Sequence, residues 1–64
     1  MAKRQTYQLD TVRDNGHEHA RRYHNLARAR AAFDAATRTP TVVNVMLWDV
    51  TGGGQEGVDG WWRN

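Results

Sequence analysis

Residues 41–50, TVVNVMLWDV, are apolar in both alternating phases. Val43, Val45 and Leu47 form one row, and Val42, Met46, Trp48 and Val50 form the other, broken only by Asn44. A half-buried antiparallel strand normally alternates apolar and polar side chains, because one face meets the core and the other meets water. A strand that is apolar on both faces must be covered twice. A chain of 64 residues has little material for that, since a domain of this size buries only about 60% of the surface its unfolded chain exposes. Domains this small usually need a disulfide, a metal or a partner subunit. There is no cysteine, which excludes disulfides and thiolate metal sites and fits a reducing compartment.

The rest of the chain supplies two hairpins and one helix. Residues 6–24 read as a hairpin about Asn15-Gly16, because a two-residue type I′ turn needs positive φ at both central positions. Such a turn pairs Asp14 with His17, sets Arg13 opposite Glu18, and sets Asp10 opposite Arg21. Each opposite-charge pair contributes roughly 0.2–1 kcal/mol. In that register Tyr7, Leu9, Thr11, Ala20, Arg22 and His24 share one face. Gln8, Asp10, Val12, His17, His19, Arg21 and Tyr23 share the other.

Residues 26–38 read as a helix with Asn25 as N-cap. Leu26, Ala29, Phe33 and Ala36 form a narrow apolar stripe, Arg30 and Asp34 an i,i+4 pair, and Pro40 lies just past the end. Residues 41–63 read as a second hairpin across the loop TGGGQEG. Pairing Val50 with Val58 there puts Trp48 opposite Gly60, Leu47 opposite Trp61, Met46 opposite Trp62, and Asp49 opposite Asp59. The expected fold is α+β: a single ββαββ domain with a four-stranded, mainly antiparallel sheet and one helix packed on one face.

One helix can cover only one face of a sheet. The β-branched row Val43, Val45 and Leu47 suits an alanine-rich helix, and is expected beneath it with Trp61, Tyr7, Leu9, Leu26 and Phe33. That leaves Met46, Trp48 and Trp62 on the open face, beside Tyr23, Arg21 and His19. These six are the candidate partner-binding residues, because an exposed apolar patch on a small domain marks an interaction site and Trp, Tyr, Met and Arg are enriched at interface centres. The alternative is that the C-terminal hairpin curls and all three tryptophans enter one core.

Other chemistries find little support. His17 and His19 form an H-x-H pair, but a metal site needs three or four converging ligands, and His24 falls on the opposite face. TGGGQEG lacks the lysine and following helix of phosphate-binding loops. There is neither cysteine nor serine, and a thin domain cannot easily build a deep pocket. No catalytic residue, metal ligand or cofactor is therefore expected. The formal charge is only +2, from nine basic and seven acidic residues, and the arginines are spread over the domain. MAKRQTYQ has no apolar segment behind its basic residues, so it is not read as a signal peptide. VMLW is too short to span a bilayer. The expected location is the host-cell cytoplasm.

The helix LARARAAFDAA between two hairpins, followed by the strand VVNVMLWDV, resembles in size and layout the small accessory proteins encoded by phages and mobile elements of GC-rich bacteria. That group includes some CRISPR inhibitors and acts mainly by binding host proteins. The resemblance implies a non-enzymatic module that binds a host protein. Two alternatives use the same open face: a single-stranded nucleic-acid binder, in which bases stack on Trp48 and Trp62 beside Arg21, and a structural homodimer.

Overall fold

A computed structural model describes residues 5–63. The four N-terminal residues that enter the signal-peptide reading lie outside the described residues. The element order is β1 (Tyr7–Arg13), β2 (Glu18–Tyr23), α1 (Leu26–Thr37), β3 (Val42–Asp49), a short 3-10 turn (Thr51–Gly53) and β4 (Glu56–Trp62). The strands form one sheet in the order β2-β1-β3-β4, antiparallel throughout. The expected ββαββ architecture is therefore the observed one, with the N- and C-terminal hairpins joined through β1 and β3.

Asn25 caps α1, its side-chain oxygen accepting from the Arg28 N–H at 3.1 Å. The helix stops at Thr37, and the Thr39 hydroxyl donates to the Ala35 carbonyl at 3.1 Å. Pro40, which has no N–H to donate, follows in the turn leading to β3. The ion pairs differ from the expected one: Asp34 pairs with Arg38 at 2.9 Å, and Arg30 reaches across to Asp59 on β4 at 3.7 Å.

The core lies between α1 and one sheet face. Tyr7, Leu9, Ala29, Val42, Val45 and Leu47 are buried there, with Tyr23, Ala32, Phe33, Ala36, Val58 and Trp61 packed around them. Ala29 is fully buried, since a methyl group lets the helix approach the strands. Two placements differ from expectation. Leu26 is 36% exposed at the first turn. Val42, not Val43, joins the core, because a bulge shifts the β1–β3 register between Val12 and Arg13 and re-aims the strand end.

The largest correction concerns the first hairpin. Tyr7 pairs with Tyr23, Leu9 with Arg21, Asp10 with Ala20 and Val12 with Glu18. This is one residue away from the expected register. Gly16 takes φ +84° while Asn15 stays at negative φ, so the type I′ turn does not form. The loop holds three residues between Arg13 and His17, closed by the Arg13 N–H to the His17 carbonyl at 2.9 Å. Asn15 accepts from the His17 N–H at 2.9 Å. A one-residue slip turns every side chain of a strand to the other face. The cross-strand pairs Arg13–Glu18 and Asp10–Arg21 are lost, and Tyr23 moves to the helix side.

In the C-terminal hairpin the slip is two residues, which preserves the faces. Val45 pairs with Trp61, Asn44 with Trp62, Met46 with Gly60 and Leu47 with Asp59. A second bulge between Leu47 and Trp48 then sets Trp48 opposite Gly57 and Asp49 opposite Glu56. Asp49 and Asp59 therefore do not face each other. The loop is tied down by Thr51, whose N–H donates to Asp49 at 2.9 Å and whose hydroxyl accepts from the Thr6 N–H at 3.1 Å.

Candidate functional site

The sheet face turned away from α1 consists of three rows running across the four strands. The first is Glu18, Val12, Asn44 and Trp62; the second is Ala20, Asp10, Met46 and Gly60; the third is Arg22, Gln8, Trp48 and Gly57. No element among the described residues packs over it, because α1 is held on the other side by the core.

Three of the six predicted contact residues come together here. Trp62 is 70% exposed, while Met46 and Trp48 are half-buried. The latter two owe their burial to glycine neighbours. A Cβ on Gly60 would stand 2.9 Å from Met46 Sδ, and one on Gly57 would stand 3.7 Å from Trp48 Cζ3. Both side chains thus lie flat over bare β4 backbone. The expected covering of Gly60 by Trp48 is corrected: Met46 covers Gly60, and Trp48 covers Gly57.

Tyr23, Arg21 and His19 do not belong to this site. They share the helix-side face with Tyr7, Leu9 and Thr11, against which they pair. Tyr23 packs on the core, and the Arg21 guanidinium lies 5.8 Å from its ring centre. In their place β2 contributes Glu18, Ala20 and Arg22. Trp61, expected in the core, is half-buried on the helix side, and the Arg63 guanidinium lies 4.9 Å from its ring centre.

The three members of the face that the sequence reading missed are Glu18, Ala20 and Arg22, which its one-residue-shifted register put on the helix side. Asp10, Thr11, Val12, Glu18, His19 and Ala20 line a shallow depression between β1 and β2. Asn44 is buried in the first row, its amide donating to the Trp61 carbonyl at 2.9 Å. Gln8 donates to Asp10 at 3.0 Å. One polar group is unmatched: Trp48 Nε1 is buried with no hydrogen-bond partner. A buried donor left in that state costs roughly 1–3 kcal/mol.

Electrostatic perturbation lies off this face. Hydrogen bonds from Thr51, the side-chain one foremost and the backbone N–H second, hold the Asp49 carboxyl below its ordinary range. Asp49 is on the opposite face to Trp48, beside the loop that links β3 to β4. Among the described residues, no three His, Asp or Glu side chains converge as a metal site, and no helix is long and apolar enough to cross a membrane.

No family model matches the chain, and neither a curated protein nor a solved structure matches it.

Proposed function

We propose that this chain is a non-enzymatic protein-binding module whose contact surface is the open sheet face, centred on Met46, Trp48 and Trp62. The observation that carries this reading is the 70% exposure of Trp62 on a face that no other described element covers. A large aromatic ring left in water gives up a burial free energy of roughly 1.5–3 kcal/mol, and aromatic anchors of this kind dominate protein interfaces.

The charges favour a protein over a nucleic acid. Single-strand binders combine stacking rings with a positive track. Here Asp10 and Glu18 outnumber Arg22 on the open face, and Arg21 lies on the other side. The resemblance to phage accessory proteins makes a cytoplasmic host protein one source of the partner, and a second copy of the chain is the other.

The test is a photo-crosslinking amino acid placed at Trp62, with Arg28 on the exposed part of α1 as the control position, in the protein expressed in cells. Discrete crosslinked protein products from position 62 and none from position 28 are expected. Equal crosslinking from both positions, or none from 62, contradicts the reading.

A further inference from the structure

We propose that the exposed edge of β2 pairs with the same edge of a second copy of this chain, antiparallel and about a two-fold axis at Ala20, so that the two sheets become one. This edge is separate from the open face, and the inference does not depend on the protein-contact reading above.

The strand order leaves β2 and β4 at the two edges of the sheet. An edge strand presents unpaired backbone groups, which proteins commonly blunt with bulges, charges or a covering segment. The β4 edge is blunted: a bulge interrupts its pairing with β3, and the Asp59 carboxylate accepts from the Gly60 N–H at 2.8 Å. The β2 edge has no such device. Its register with β1 runs unbroken from Tyr23 to Glu18, and Glu18 through Arg22 are all exposed. Among the described residues no strand lies beyond it, and α1 rests mainly on β3 and β1.

The backbone direction follows from the hairpin. Arg13 and His17 are a backbone-bonded pair, the Arg13 N–H donating to the His17 carbonyl at 2.9 Å. Bonded and non-bonded pairs alternate along an antiparallel ladder. His19, Arg21 and Tyr23 therefore bond inward to β1, while Glu18, Ala20 and Arg22 turn their N–H and C=O groups outward.

That outward row is self-complementary, as a two-fold interface requires. With the axis at Ala20, Glu18 of each copy lies opposite Arg22 of the other, and Ala20 lies opposite Ala20. Each of these pairs exchanges two backbone hydrogen bonds, and opposite charges directly across a ladder attract. Neither Glu18 nor Arg22 has an ion pair within the described residues; they face Val12 and Gln8 on β1. Moving the axis by one residue stacks His19 on His19 or Arg21 on Arg21, and it loses both ion pairs. The axis stands perpendicular to the sheet. Both open faces therefore turn to one side and both α1 helices to the other, where His19 comes opposite Arg21.

A single pair of short strands covers less than a standard interface, so a weak equilibrium is expected, with a dissociation constant on the order of 0.1 mM. It supplies the subunit contact that a small cysteine-free domain otherwise lacks.

The experiment is sedimentation of the purified chain from about 1 µM to 1 mM, with circular dichroism to check folding. A monomer–dimer equilibrium is expected. Arg22→Glu sets like charges opposite each other twice and should raise the dissociation constant at least about tenfold. Adding Glu18→Arg to the same chain restores both pairs in reverse and should bring the constant back to within about threefold of wild type. Ala20→Pro removes an outward N–H, which an edge strand tolerates, and should abolish association in a folded chain. A chain that remains monomeric to 1 mM overturns the inference. So does a dimer indifferent to Arg22→Glu or Ala20→Pro, or a charge swap as weak as the single variant. None of these changes touches Trp62, so crosslinking from position 62 tests the contact-surface reading separately.

Discussion

Met46 lies across the bare backbone of Gly60, so close that a Cβ there would fall 2.9 Å from its sulfur. The contact joins β3 to β4 on the side that α1 does not reach, and it keeps the middle of the open face flat. Met46 and Trp48 are half-buried through such contacts, and Trp62 stands proud beside them.

Gly60→Val tests that contact. The new side chain must push the flexible Met46 thioether aside, which costs little where the side chain can turn toward water, and a β-branched residue suits a strand. Stability from urea unfolding should change by no more than about 1 kcal/mol. The displaced Met46 methyl resonance in a methyl NMR spectrum should report the movement.

The helix-side and open-side residues should separate cleanly in stability. Leu47 is fully buried, so Leu47→Ala should cost about 2–5 kcal/mol, enough to leave a domain this small largely unfolded. Trp62→Ala, measured at a concentration where the chain is monomeric, should change stability by about 0.5 kcal/mol or less. Equal losses would place Trp62 in the core.

Gly16 carries the first hairpin's only left-handed residue, at φ +84°, with nothing within 4 Å of its missing Cβ. Gly16→Ala therefore meets no steric neighbour and pays only for backbone conformation. A loss of about 1 kcal/mol is expected, whereas Gly16→Asn should lose less, because Asn tolerates that region. Thermal unfolding of the two variants checks the order.

Asp49 should contribute to the acid limb of the domain's stability. Thr51 lowers its folded-state pKa, so its contribution is complete above the unfolded carboxylate pKa and is lost as pH falls through the lowered folded value. Urea midpoints measured from pH 6 to pH 2 should decline less steeply in Asp49→Asn than in the wild type. Identical slopes would show that the Thr51 contact contributes nothing to the acid limb.

How much of this was legible in the sequence depends on what fixed each register. Strand alternation separated Met46 and Trp48 from Val45 and Leu47, and the fit of the β-branched row to an alanine-rich helix put Met46 and Trp48 on the open side. The C-terminal hairpin slipped by two residues, so Trp61 and Trp62 kept their predicted faces although their partners changed. The N-terminal hairpin slipped by one, and that moved Tyr23, Arg21 and His19 off the site. Asn-Gly serves both a two-residue turn and a three-residue loop with glycine in the left-handed position, and EHARRY has too little apolar alternation to choose between them. Its one strong signal was Tyr23, which pairs with Tyr7 and packs on the core. The two bulges, which bring in Val42 and set Trp48 over Gly57, had no turn residue or charge pattern to announce them.

The central claim is that the open face is a protein-contact surface, and the three tryptophan side chains report on it directly. Each gives one indole N–H resonance, and Trp61 on the helix side serves as an internal reference. On titration with the protein crosslinked from position 62, the Trp48 and Trp62 resonances should shift together along one binding curve while Trp61 stays nearly fixed. Three resonances that do not move, or a shift confined to Trp61, would contradict the account.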